Sequence, residues 1–468
     1  MIAATIGRAF LKAYNEKTGQ QLSAREFFEK DYFELFFNHP KYMQWVTNSP
    51  FVQMKAGQKP HLLKPQDRIE KLKNLHSKIT DGEKDASIAI GFPASETKEF
   101  ATTSGLVTDM ELALDKEDVY YSWIGGGLGI GVAGGYSIFF DQPDILLKLY
   151  EGWKVYRNYL NDKTLVRLRG NQINTWNGQW LSFSYNKYYR ESFDFAQLHS
   201  TGVFSVDEKV IEVNTIKWSE LFFNISNRYP HQTFTGYVYS LGQTNKTLGF
   251  YPFHFNKARS LIKYYKLLFG EQAALHDASH YEALFGIHIK RACELGSIGL
   301  QALEPNALRK YFGKDSNLKL AKPKLGQKKG ESDEAYALRK EKIEAKDYEN
   351  IITYRTYKTW LLAMITKNKE ESLEYTAEVA KALHEYKGAD KKGSTKRSNL
   401  IGSELLIAKT KKSFLDALTT IIKEVDEKEL ETFKNLRDRV HMMSSEDFGY
   451  FVVLLKFDYA YAERTILN

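Results

Sequence analysis

No proline follows Pro323, so the last 145 residues of this 468-residue chain are free of the residue that blocks helix interiors. That absence, joined to long stretches mixing charged and apolar residues, predicts an uninterrupted helical block. Cysteine is nearly missing as well. Cys293 stands alone, which excludes an intramolecular disulfide and any cysteine-based zinc site and points to a reducing cytoplasm. Long apolar runs are scarce. The one uncharged run of spanning length, Ser122–Phe140, has glycine at seven of its nineteen positions and is closed by Asp141 and Pro143, which argues against a membrane helix. Arg8 and Lys12 fall where a signal peptide needs apolar residues, so the N-terminus reads as an amphipathic helix.

What is present divides into two physically different parts. The hydrophobic content of 43% is ordinary for a globular protein, and the length suffices for two or three domains. From Ile6 to about Val46 the apolar residues recur at helical spacing, with an aromatic face of Phe27, Phe28, Tyr32, Phe33, Phe36 and Phe37. Between Ser87 and Phe253 short β-branched and aromatic runs predict strands at 87–90, 119–123, 136–140, 181–185 and 237–241. Helix is expected again at 256–269 and 271–295, broken near Gly270. Residues 319–330 hold five lysines, a proline and two glycines without an acid, and they read as a basic linker. Beyond it, helices are expected at 333–368, 370–387, 400–425, 427–443 and 445–466. The expected fold class is therefore α+β. A mixed N-terminal part with antiparallel strands (1–318) meets a basic linker (319–332) and then an all-α bundle (333–468).

Enzyme-like patterns are thin. Gly129, Gly131 and Gly134 match a dinucleotide fingerprint, but a strand-like run follows where a helix should receive the pyrophosphate, so a glycine-rich hairpin with close backbone approach is the better reading. His276 and His280 share a helix face, with Asp277 and His288 nearby, yet no partner ligands are recognisable elsewhere. Asp144 with Glu151 and Lys154 approaches a nuclease spacing but is one residue too long. No phosphate loop or nucleophile elbow occurs. No catalytic residue, metal site or cofactor is expected.

The polar signals are stronger. Between Trp153 and Phe195 eleven aromatic residues alternate with seven basic ones against three acids. At the centre, Arg169–Trp180 reads as an amide-rich loop whose Asn171, Gln172, Asn174 and Asn177 could hydrogen-bond base edges while its tryptophans stack. Gln243, Thr244, Asn245 and Lys246 form a second such loop between two strand-like runs. Residues 387–412 add eight basic residues against two acids. Among them Lys391, Lys392, Lys396, Arg397, Lys409 and Lys412 are candidates for phosphate contact.

With both parts in view the chain resembles the large subunit of type I CRISPR effector (Cascade) complexes, in the version where an α/β front precedes a bundle like the separate small subunit. The resemblance lies in length, order of parts, basic balance, lack of catalytic residues and the Asn/Gln/Gly segments. It implies a non-catalytic, cytoplasmic DNA- and RNA-binding subunit whose partners are a guide RNA, target DNA and other effector subunits, with no membrane involved. The front would recognise a protospacer-adjacent motif and help open the duplex. The two amide segments would be the motif readers and the bundle lysines would touch phosphate. Two other classes stay open: a metal-dependent phosphohydrolase or nuclease using the His/Asp cluster, and a stand-alone RNA-binding structural protein.

Overall fold

A computed structural model describes residues 1–46, 49–52, 54, 58–81, 86–87, 107–108, 115–186, 198–199, 202–240, 246–269, 286–287, 289–303, 325–365, 371–390 and 392–465. The fold class is α+β, with a small antiparallel sheet in the N-terminal half and helices in the C-terminal part. By contacts the chain separates into two units. One comprises Met1–Asn256 and Cys293–Ile298, the other Lys257–Ala292 and Gly299–Asn468.

The first unit opens with α1 (Ile2–Thr18), ended by Gly19 in the left-handed conformation. A capping box at Ser23 and Glu26 starts the next helical stretch, α2 (Ala24–Phe27), a π segment (Phe28–Tyr32) and α3 (Phe33–Phe36). The aromatic face foreseen there is core: Phe27, Phe28, Tyr32, Phe33 and Phe36 are all buried. After α4 (Pro65–Asp81) come the two-residue strands β1 (Ala86–Ser87) and β2 (Val107–Thr108), which pair antiparallel. The predicted strand residues 88–90 lie outside the described residues.

Residues 119–123 are not a strand. They belong to α5 (Lys116–Gly126), N-capped by Asp115, whose carboxylate accepts from the Glu117 N–H, with two acids in the first turn. Every position from Val119 to Gly126 except Tyr121 is buried, so no amphipathic period marks this helix in the sequence. It crosses α1 backbone to backbone. A Cβ on Gly7 would lie 2.0 Å from the Tyr121 carbonyl oxygen, and one on Gly125 would lie 1.9 Å from that of Ala3. Only glycine fits at either position.

The glycine run then forms a hairpin, as its spacing suggested. β3 (Ile130–Val132) and β4 (Tyr136–Phe140) turn through Gly134 and Gly135, both at positive φ. Next are α6 (Pro143–Asn161), α7 (Ile173–Ser184), the short pair β5 (Phe204–Val206) and β6 (Ile211–Val213), and α8 (Trp218–Arg228). β7 (Thr233–Ser240) and β8 (Lys246–His254) complete an antiparallel sheet in the order β3-β4-β7-β8. The predicted strand at 181–185 is thus the end of α7, another helix buried on nearly every side.

Two helices, α9 (Phe255–Phe269) and α10 (Ile289–Leu295), precede the bundle. α11 (Asp333–Ile365) begins at the residue the sequence indicated, followed by α12 (Glu371–Gly388) and α13 (Ser394–Leu400), which continues into a π segment (Ile401–Leu405). The helix expected at 400–425 is broken here. A new capping box at Thr410 and Ser413 starts α14 (Lys411–Ile422), and α15 (Glu427–Met442) and α16 (Ser445–Thr465) end the chain. Leu383, Ile401, Phe414, Ile421, Leu436 and Leu455 share one apolar core. Deep beside it, Asp458 of α16 is 4% exposed and pairs with the Lys358 ammonium of α11. Its other bonds come from the Tyr354 hydroxyl at 3.2 Å and the Thr376 hydroxyl of α12 at 2.7 Å.

Candidate nucleic-acid interface

The segment 169–180 is not an open loop. A turn through Asn171, the one described non-glycine residue at positive φ (57°), leads directly into α7. The Asn171 N–H donates to the Tyr42 carbonyl at 2.6 Å, and the Gln172 side-chain oxygen accepts from the Val213 N–H at 3.1 Å. Asn174 donates its amide to the Gly129 carbonyl at 3.0 Å. Asn177 is fully buried and bonds the carbonyls of Gly127 at 2.7 Å and Gly129 at 2.9 Å. The glycine run leaves these carbonyls without a ladder partner where the chain passes from α5 to β3, and buried carbonyls require donors. The tryptophans are spent in the same way: Trp176 donates to Gly152 at 2.7 Å and stacks on Tyr156, and Trp180 donates to Lys148 at 2.8 Å. Asn177 has no path to a base edge, and Asn171 alone of the four amide side chains is exposed. Its signal in the sequence was a turn followed by an N-terminal helix boundary, which the density of amides obscured.

The second amide segment sits differently. β7 and β8 pair from Thr233↔His254 up to Ser240↔Lys246, with an irregularity at Val238/Tyr239 opposite Gly249, whose φ is 110°. Such a bulge twists a hairpin and re-aims its end. β8 is the sheet's last strand. Towards its base it is covered by Ile298, which exchanges backbone hydrogen bonds with Pro252 and His254. One face near the tip is aromatic and accessible: Phe250 is 60% exposed and packs 5.0 Å from the Tyr237 ring, whose hydroxyl meets Thr247 Oγ1 at 3.0 Å. Gln243, Thr244 and Asn245 connect the strands and lie outside the described residues; Lys246 opens β8.

The basic segment of the bundle is partly consumed internally. Arg397 is 8% exposed, bonds the Asp390 carboxylate at 2.9 Å and stands over the Tyr386 ring. Asp390 in turn caps the Gly393 N–H at 2.7 Å, and the Arg397 guanidinium holds its carboxyl below the usual range. Arg397 therefore fastens the 389–393 turn rather than standing open to phosphate. Lys396 reaches Glu424 at 2.9 Å, an exposed pair of small energetic weight that an incoming phosphate could displace. Lys392, Lys409 and Lys412 are exposed, and Lys391 lies outside the described residues. Lys387 pairs with Glu463 and Lys411 donates to the Met443 carbonyl at 2.8 Å.

The enzyme-like patterns gain no geometry. His276, Asp277, His280 and His288 lie outside the described residues. Glu151 is held by Lys148 at 2.5 Å and Lys17 at 3.3 Å, while Lys154 lies over the Tyr150 ring rather than beside the carboxylates. Among the described residues no group of three or more His, Cys, Asp and Glu could hold a metal, and no helix is long and apolar enough to cross a membrane. No family model, curated protein or solved structure matches the chain.

Proposed function

We propose that this chain is a non-catalytic nucleic-acid-binding subunit of an RNA-guided CRISPR surveillance complex, and that the β7–β8 hairpin is its motif reader. The observation that carries the reading is the hairpin itself. β7 and β8 are the last two strands of the sheet, with β4 paired along β7 as far as Ser240; the exposed ring of Phe250 and the Tyr237–Thr247 pair lie on them, close in sequence to Gln243, Thr244, Asn245 and Lys246. Amide side chains at a strand end can bond base edges, and exposed aromatic faces accept unstacked bases. Asn174 and Asn177 of the first amide segment hold the entry to β3 at the other edge of the sheet, so the reading function is assigned to the β7–β8 hairpin. In the bundle, Lys392, Lys396, Lys409 and Lys412 supply charge for separated strands.

The reading is tested by coexpressing the chain with a guide RNA and candidate companion subunits from its own genomic neighbourhood. Target binding should depend on a short motif beside the protospacer, and a Gln243→Ala, Asn245→Ala double variant should flatten that dependence. Each lost base contact should cost about 1–3 kcal/mol of discrimination. A complex that binds target equally well without this chain, with no motif preference, rules the proposal out.

A further inference from the structure

One face of the β7–β8 pair is open to solvent. In the register Thr233↔His254, Thr235↔Pro252 and Tyr237↔Phe250, directly opposed residues share a face. None of these six residues is buried, and Thr233, Thr235 and Phe250 are exposed. The intervening Phe234, Val238 and Phe253 are buried on the other side. On the open face the Phe250 ring lies 5.0 Å from the Tyr237 ring, inclined to it by 58°. The Tyr237 hydroxyl is 3.0 Å from that of Thr247, which is exposed as well, and Thr233 Oγ1 lies 3.1 Å from His254 Nδ1. Towards β4 the face closes, because Tyr239 is buried and stacks on Phe139 at 4.7 Å. The open part therefore presents a pair of rings flanked by hydroxyls, and the outer ring keeps a free π-face.

The charge pattern says what can cover it. From Leu221 to Gly270 the chain has no Asp or Glu, although it holds 58 of them and a stretch of that length would carry about six at the average density. The part of this stretch in the first unit, 221–256, carries Arg228, His231, Lys246 and His254 instead. A polyanion approaching these strands meets no like charge from them. Among polyanions, nucleic acid also brings flat rings, and every base has a π-face that stacks on an aromatic side chain whatever the sequence. A duplex keeps those faces inside its own stack. Only an unpaired strand can lay a base on Phe250.

We propose that the open face of β7 and β8 is a stacking platform for single-stranded nucleic acid. An unpaired base covers the Phe250 ring beside Tyr237, and the exposed Thr235 and Thr247 supply hydroxyls next to it. The platform deepens the reading of the hairpin and rests on the nucleic-acid role proposed for the chain. It does not rest on motif recognition by Gln243 and Asn245, since stacking is indifferent to sequence. The two contributions are separable on one hairpin: the amides discriminate, and the rings hold a strand that has left its duplex.

The test titrates the full-length chain with a labelled single-stranded oligonucleotide, and with the same sequence as a blunt duplex, over a series of salt concentrations. The wild type should bind the single strand more tightly. Phe250→Leu keeps apolar bulk but removes the ring, and it should weaken single-strand binding roughly tenfold at every salt concentration. The slope of affinity against salt should stay the same, because a stacking contact releases no counterion. Phe250→Trp should bind like the wild type. Phe250 is 60% exposed, so both variants should keep the wild-type thermal midpoint. The Gln243→Ala, Asn245→Ala double variant should keep single-strand affinity even where it flattens motif dependence in the assembled complex, which separates failure of the platform from failure of the motif reading. Phe250→Leu binding the strand as tightly as the wild type overturns the platform and leaves the face to a protein partner. A wild type that binds duplex as tightly as single strand overturns it too.

Discussion

Asn177 shows how a residue's chemistry is redirected by its neighbours. Its amide is as able to read a base as any other, but its two hydrogens are fixed on the carbonyls of Gly127 and Gly129. Replacing Asn177 with Ala should strand the Gly127 carbonyl, while Asn174 still serves that of Gly129, and cost about 1–3 kcal/mol, read as a lower denaturant midpoint. Lys358 is the corresponding case in the bundle. Lys358→Met leaves the Asp458 carboxylate buried without a counter-charge, and a loss of about 3–5 kcal/mol is expected. Adding Asp458→Leu in the same molecule should recover much of it, because a buried pair replaced by apolar groups of similar volume is often neutral. An unrecovered double variant would show instead that the bonds from Tyr354 and Thr376 to Asp458 dominate.

Among the elements, the amphipathic ones were legible and the enclosed ones were not. α15 carries an apolar stripe and a polar one and starts where expected, and Ser444 with Asp447 marks the start of α16. α5 and α7 are buried around most of their circumference, so their apolar residues have no period to detect, and their aromatic content imitates strands. The contact of α1 with α5 makes Gly7 and Gly125 sensitive positions. Gly125→Ala should force the helices apart and lower the thermal midpoint far beyond the benefit alanine brings to an exposed helix. At the start of α11, Arg339 grips Glu331 at 2.6 Å and holds its carboxyl well below the usual range, to about 2. A depressed carboxylate pKa stabilises the fold above the unfolded value and loses that effect as pH falls through the folded one. The first turns of α11 should therefore fray between about pH 4.5 and pH 2, with amide exchange there accelerating before the bundle core opens. Glu331→Gln should show the fraying already at neutral pH.

For the molecule as a whole, two separate cores mean that damage should stay local. Lys358→Met should lower the calorimetric transition of the helical unit and leave that of the sheet-containing unit in place; a single transition moving as one would show the two to be coupled. The sequence by itself determined the α+β class, the strand runs of β4 and β7, the glycine-rich hairpin before β4, the aromatic N-terminal core and the helix beginning at Asp333. These depend on local chemistry: proline absence, capping, turn glycines and periodicity. Only the tertiary structure decided which polar residues remain available. It buried Asn177 and Arg397 against carbonyls and a carboxylate, left Phe250 exposed on the hairpin, and bonded Arg157 to the Leu35 and Lys41 carbonyls and Lys41 to those of Val166 and Leu168. A side chain's capacity to bond is written in its type, but whether the fold has already used it depends on partners more than a hundred residues away.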